Sequence, residues 1–328
     1  MSQDILPCLS YPTTVVFVDD DEKFLQQAGA IIRRELPYSL YKDPKEALKF
    51  LNETYKLEPF TKRCAVESLD ASPDHRVIDF NIRLIREEVY NPNRSKENGV
   101  VILDFAMHDI NGGELAKQLK GKPYKIILLT GEAGTQTAVK LFNEGVIQRY
   151  IRKDDAHFKE ILFESIKNLQ QQYFADISRV VLDSFTDRKW YKDPVFKKLI
   201  EEIFMANNLK ESFLLDEYGS YKFLKADGKQ SFLAVTNEDM METYLDYAID
   251  VSPPDIVEGL KSKSIMPFFL NEEDFDSSPR DWGPYMHPAK ALRGLDTYYY
   301  SYIENPDPKI YKLENKIFSY DDFLKAQG

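Results

Sequence analysis

Three carboxylates, a threonine and a lysine recur along the first half of the chain in an order that suits phosphoryl chemistry. Asp19 and Asp20 follow the apolar run 14–18, Asp104 follows 100–103, Thr130 follows 126–129, and Lys153 follows 150–152. Adjacent carboxylates repel, and crowding a third beside them is costly unless a cation neutralises them. Mg²⁺ suits such a set, because it takes hard oxygen ligands and is commonly held by one or two carboxylates plus a phosphate. One carboxylate is then left as nucleophile. An ammonium balances the charge of the product, and a threonine hydroxyl can hydrogen-bond to the phosphoryl oxygens. A single Asp at a strand end is ordinarily a turn or cap residue. The ordered set of five is what argues for chemistry.

Positioning these residues is the task of the elements before them. Short apolar runs without polar alternation read as parallel strands covered on both faces. In an open parallel sheet, chemistry collects outside the carboxyl ends of the strands, so distant residues meet in one cleft. The pattern predicts a strand at 14–18 and a helix near 21–35, with Asp21 and Glu22 at its start and Arg33 and Arg34 at its end to complement the helix dipole. It further predicts a strand at 38–41, a helix from Pro44 to Leu51, one from Gly112 to Lys120, and one from Thr135 to Asn143 capped by Gly145. From Asp154 onward, Leu162, Ile166, Leu169, Tyr173, Ile177 and Val180 fall at spacings of four and three. That stripe fits either a coiled-coil-like seam reaching beyond the sheet or a last helix followed by a separate one.

The blocks Val15-Val16-Phe17-Val18-Asp19-Asp20-Asp21, Leu103-Asp104-Phe105-Ala106-Met107 with Gly112, Leu128-Leu129-Thr130-Gly131-Glu132-Ala133 and Tyr150-Ile151-Arg152-Lys153 resemble the CheY-like receiver domain of bacterial two-component response regulators, over roughly residues 12–172. The resemblance implies a five-stranded, doubly wound parallel α/β (flavodoxin-like) fold. It implies that Asp104 is the phosphoacceptor, that Asp20 ligates Mg²⁺ directly and Asp19 through water, and that Asp104 and the Ala106 carbonyl complete the metal site. Thr130 would be the switch hydroxyl, Lys153 the phosphate counter-ion and Tyr150 the switch aromatic. The implied partner is a sensor histidine kinase or phosphotransfer protein, the receiver catalysing its own phosphorylation. The chain departs from the family at two positions that usually hold proline, here His108 and Asp154. A cis bond before a residue other than proline is disfavoured by about 2.5–4 kcal/mol.

Between the second and third strands lie residues 53–98, far more than the short connection usual in α/β units. Val77, Ile78, Ile82, Ile85 and Val89 predict a helix there, ended by Asn91-Pro92-Asn93. The excursion precedes the third strand, so it should emerge at the end of the sheet opposite Asp104, as a partner-binding or architectural feature or as a solvated excursion.

With 328 residues, two domains are expected, a receiver at 1–172 and an output domain at 173–328. The second half predicts an α+β domain: a helix from Pro194 to Met205, a meander through 213–215, 219–224 and 231–235, a helix at 238–249, strands at 266–270 and 297–303, and a final helix at 320–326. Residues 176–328 hold 19 Lys and Arg against 28 Asp and Glu. Phosphate affinity comes from cations, so DNA is a poor expectation for this domain. It shows no glycine-rich phosphate loop, nucleophile elbow or zinc spacing, so no output enzyme is indicated. Tyr298, Tyr299, Tyr300 and Tyr302 alternate faces and read as half core, half surface rather than as a stacking platform. Trp190 and Trp282 could be interface anchors or simply buried. No apolar run is long enough for a membrane span, no signal peptide is evident, and Cys8 and Cys64 lack metal spacing, which together suit a reduced cytoplasm.

The long excursion and the segment 142–147 before Tyr150 make the architecture similar to atypical response regulators of the Legionella quorum-sensing type. That likeness implies a homodimer on phosphorylation and an output domain that acts on an unknown downstream protein rather than as an ordinary DNA reader. The rival readings are a ligand- or nucleotide-sensing output domain, an atypical DNA-binding regulator and, third, an output enzyme, which an acidic or His-lined cleft in the second domain would favour.

Overall fold

Strands that lack polar alternation must be covered on both faces, and the first half of the chain meets that demand with helices on each side of a sheet. A computed structural model describes residues 5–32, 35–56, 65–67, 78–80, 82–131, 134–183, 188–275, 279–313 and 316–327. After a two-residue strand β1 (Leu9–Ser10) come β2 (Thr14–Val18), α1 (Glu22–Ile32), β3 (Tyr38–Tyr41) and α2 (Pro44–Lys56). The excursion contributes β4 (Ala65–Glu67), β5 (Ile78–Phe80) and α3 (Ile82–Glu87). Then follow β6 (Asn98–Asp104), α4 (Gly112–Leu119), β7 (Lys125–Thr130), α5 (Thr135–Asn143), β8 (Arg149–Arg152) and α6 (Phe158–Leu182).

The parallel sheet has the order β3-β2-β6-β7-β8. Val15, Phe17, Val100, Ile102, Ile127 and Leu129 face α1 and α6. Val16, Val18, Val101, Leu103, Ile126 and Leu128 face α2, α4 and α5. This is the flavodoxin-like receiver fold.

The stripe on α6 serves the same core. Leu162, Ile166, Leu169 and Tyr173 are all buried, and the Tyr173 hydroxyl donates to Glu97 Oε1 at 2.5 Å. Lys125 pairs with Asp176 near the helix's far end. One continuous helix matches the reach of the first sequence reading and replaces the second, two-helix reading, while its apolar stripe up to Tyr173 is buried within its own unit.

The chain divides into two compact units, one of residues 10–65 and 92–180, the other of 1–9, 66–91 and 181–328. Position 172/173, where the sequence reading divides the chain, lies inside α6. The described residues of the excursion between 66 and 91 belong with the second half: α3 lies on a strand of that unit, and Arg86 Nε donates to the Leu215 carbonyl. Ile85 and Val89 are fully buried there. The helix predicted from Val77 begins only at Ile82, because Ile78 lies in β5; Val77 falls outside the described residues. The first residues join the same unit, with Leu6 N donating to Tyr191 O at 2.9 Å and Leu214 N to Cys8 O at 2.7 Å.

The second unit adds α7 (Pro194–Ala206), β9 (Leu209–Leu214), β10 (Tyr221–Lys225), β11 (Gln230–Asn237), α8 (Glu238–Ala248), α9 (Pro254–Lys261), β12 (Ile265–Pro267), α10 (Glu272–Phe275), β13 (Met286–Pro288), β14 (Lys290–Arg293), β15 (Thr297–Ile303) and α11 (Tyr320–Gln327). Its main sheet runs β1-β9-β10-β11-β15-β14, and β12 pairs separately with β13. The strand predicted at 266–270 is thus only Ile265–Pro267, and β13 and β14 are additions. Trp190 and Trp282 are core residues, each 1% exposed. Three of the four tyrosines of β15 use their hydroxyls in internal hydrogen bonds. Tyr298 donates to Asp193 Oδ2 at 3.1 Å, Tyr299 to Glu238 Oε2 at 2.8 Å and Tyr302 to Ser231 Oγ at 3.1 Å. Among the described residues, no helix is long and apolar enough to cross a membrane.

Candidate functional site

The four parallel strands β2, β6, β7 and β8 end in a row, and the polar residues stand at their carboxyl ends. Backbone bonds past the strands hold them in place: Asp19 N donates to Tyr41 O at 3.1 Å, Phe105 N to Leu129 O at 2.8 Å and Lys153 N to Thr130 O at 3.0 Å. Gly112 lets α4 start directly against this edge. A Cβ on it would stand 2.1 Å from the Asp104 carbonyl oxygen, so only glycine fits without moving that strand end.

One oxygen each of Asp19, Asp20 and Asp104 lies within 4.8 Å of the other two. Lys153 bridges two of them, donating from Nζ to Asp19 Oδ2 at 2.6 Å and to Asp104 Oδ1 at 2.8 Å. Its ammonium also sits 4.2 Å from the centre of the Phe24 ring. Burial pushes the Asp19 carboxyl above the usual range, against the pull of Lys153. Burial likewise disfavours charge on Lys153, but its bonds to Asp104 and Asp19 outweigh that and hold its pKa above the ordinary value.

Asp20 differs from its neighbours. His108 touches it twice, through backbone N to Oδ2 at 3.2 Å and through ring Nδ1 to the same oxygen. That bond lowers the Asp20 pKa and raises the His108 pKa. Sequence reasoning singled out His108 only as a departure from proline. Nothing in its spacing signals a contact with a carboxylate 88 residues earlier.

The remaining predicted residues lie around this core. Ala106 is in the loop after β6, and its backbone N–H donates to Asp104 Oδ2 at 3.0 Å. Thr130 is completely buried, and its hydroxyl has no hydrogen-bond partner among the described residues. Tyr150 is half-buried on β8, its ring 6.4 Å from that of Phe142, which is 48% exposed. Asp154 takes no part in the carboxylate cluster; it is paired with Arg152, Nε to Oδ1 at 3.0 Å.

Two observations test whether Mg²⁺ and a phosphoryl group fit here. Three carboxylates face one ammonium, an imbalance that a divalent cation offsets and for which an all-oxygen donor set is suited. A buried hydroxyl without a partner is a donor lacking an acceptor, and buried polar groups are ordinarily satisfied. Both features suit a metal and an incoming oxyanion.

Over its full length the chain is similar to the Legionella pneumophila response regulator LqsR, with 28% identity, a TM-score of 0.81, and coverage of 100% of this chain and 98% of that one. Receiver domains from Clostridium thermocellum and Methanospirillum hungatei align at 17% and 18% identity, over 49% and 50% of this chain and 95% and 98% of theirs, with TM-scores of 0.34 and 0.33. No protein-family model matches the chain, and no curated protein matches it.

Proposed function

We propose that this chain, a response regulator with a receiver domain, accepts a phosphoryl group on Asp104 from a phosphohistidine donor. A carboxylate oxygen of Asp104 forms the new bond to phosphorus as the bond from phosphorus to the donor imidazole nitrogen breaks. The imidazole then takes its proton from solvent. Asp19, Asp20 and Asp104 would hold Mg²⁺, with the Ala106 carbonyl as a further ligand. The ion, when bound, offsets negative charge on the incoming phosphoryl group.

Lys153 holds Asp104 in place beforehand and balances the charge of the acyl phosphate afterwards. The single observation that carries the reading is Lys153 bridging Asp19 and Asp104 at 2.6 and 2.8 Å with the unpartnered Thr130 hydroxyl close by in sequence order at the next strand end. Phosphorylation adds about −1.5 to −2 charge and strong acceptors. The Thr130 hydroxyl turns to donate to them, and Tyr150 moves into the space that Thr130 leaves.

That movement reaches α5, where Val139 and Phe142 are exposed and Phe142 meets the Tyr150 ring. This face, rather than the α6 stripe, would carry phosphorylation-dependent self-association. The second unit then acts through protein contacts. The experiment is intact-mass measurement after incubation with acetyl phosphate and Mg²⁺, paired with light scattering. One added phosphoryl group is expected, lost in Asp104→Asn, together with a rise in mass that Phe142→Ser blunts. Undiminished labelling of Asp104→Asn would remove the central claim.

A further inference from the structure

The second unit is strongly acidic, with 21 Lys and Arg against 34 Asp and Glu, a net charge of −13. One short edge strand carries cations without anions among its own residues, although Asp296 and the Asp193 carboxylate lie just past it. β14 is the last strand of the main sheet, and no further strand lies beyond it among the described residues. Lys290, Ala291 and Arg293 on it are exposed. Residues 285–294 contain Lys290 and Arg293 and no Asp or Glu. Neither cation forms an ion pair among the described residues.

An edge strand presents a row of unpaired N–H and C=O groups to any extended chain. Register with β15 sets Lys290 beside Tyr300 and Arg293 beside Thr297. The two cations therefore project to opposite faces of the sheet, since side chains alternate along a strand. Apolar surface adjoins them. Leu295, just past the strand, is 59% exposed, and its N–H is held by the Asp193 carboxylate at 2.5 Å. Val195, two residues from Asp193, is 40% exposed.

We propose that the free edge of β14 takes an extended acidic segment of a protein partner as a seventh strand, with two carboxylates three residues apart opposite Lys290 and Arg293. A second copy of this chain is the wrong occupant. Antiparallel pairing of two β14 strands in full register sets Lys290 of one copy opposite Arg293 of the other, and like charges directly opposite are destabilising. An acidic strand turns both positions into attractive cross-strand pairs, while Val195 and Leu295 receive its apolar side chains. The inference does not depend on Asp104.

The test uses the full chain and a fluorescein-labelled ten-residue peptide of Thr and Val carrying two Glu three apart, followed by fluorescence anisotropy. Lys290→Glu/Arg293→Glu, at exposed positions, keeps the fold, which circular dichroism checks. It should weaken binding by about tenfold or more, and a peptide with Lys in place of Glu should gain affinity for that variant. Hydrogen exchange should show new amide protection in 290–293 of the parent protein on binding. Three results overturn the proposal: no binding at millimolar peptide, affinity indifferent to the double reversal, or binding without amide protection. The last would mean contact by charge alone, with β14 merely guarded by its cations against edge-to-edge pairing.

Discussion

Asp20 lies within 4.8 Å of two other carboxylates, and among the described residues the ammonium at this site, Lys153, bonds to Asp19 and Asp104 but not to Asp20. Two unit charges at that separation repel by about 0.9 kcal/mol in a water-like medium and about 3.5 kcal/mol at an effective dielectric constant of 20. Asp20 is 27% exposed at its side chain, so the lower part of that range applies to each of its two repulsions, and part of the relief is lost with the His108 contact. Asp20→Asn is therefore expected to stabilise the metal-free protein by about 1–2 kcal/mol. For a unit of this size that raises the midpoint of its thermal transition by roughly 2–8 °C. With Mg²⁺ at a hundredfold excess over its dissociation constant, the parent protein gains about 2.7 kcal/mol, and the variant gains little. The order of stability should thus invert between EDTA and Mg²⁺. Thermal unfolding of both proteins in the two buffers, followed by circular dichroism, decides the matter. A variant less stable than the parent in EDTA, or equally stabilised by Mg²⁺, would refute both the crowding argument and the metal assignment.

Three further outcomes follow from single contacts. Gly112→Ala puts a Cβ 2.1 Å from the backbone of Asp104, whereas Gly113→Ala meets only side chains, Leu141 at 3.0 Å and Asn111 at 3.2 Å being nearest. The first should cost about 1–3 kcal/mol in urea unfolding and slow acetyl-phosphate labelling, and the second should do less of both. His108→Ala frees Asp20 Oδ2 from its imidazole and should tighten Mg²⁺ binding in calorimetry; unchanged affinity would mean the contact is incidental. Lys222 is buried on β10 between the Tyr90 and Phe232 rings, at 5.6 and 5.7 Å. Burial, aided by Arg86, lowers its pKa to about 8. Across the window from there to its unfolded value the unfolded chain binds more protons, so its contribution to stability rises with pH and is least favourable below that window. Lys222→Met should then gain up to about 3 kcal/mol at neutral pH, less what the two rings contribute, and lose the alkaline rise when urea unfolding is compared at pH near 7 and near 10.

The receiver fold was legible because its strands are buried on both faces and each ends in a residue with a chemical reason to be there. Asp104, Lys153 and Thr130 could be placed at one edge from the apolar runs alone. The bond between His108 and Asp20 was not legible, since loop residues carry no periodicity and the partner is remote in sequence. The α6 stripe was ambiguous for a different reason: spacings of four and three serve an internal core and a coiled coil equally well. Ile85 and Val89 announced a buried helical face but not which surface would cover it, so the excursion's membership in the second unit had to come from structure. β13 and β14 are too short, and too interrupted by Pro288, to stand out as strands.

The course of the polypeptide has a consequence for modular exchange. It passes from one unit to the other between residues 9 and 10, 65 and 66, 91 and 92, and 180 and 181. A receiver joined to its output by one tether can be swapped by a single recombination, or freed by a single proteolytic nick. Here neither operation yields an intact piece. A fragment beginning at 173 leaves behind the strand that contains Leu9 and the helix that buries Ile85, and a nick at any one crossing leaves the halves covalently joined through the other three.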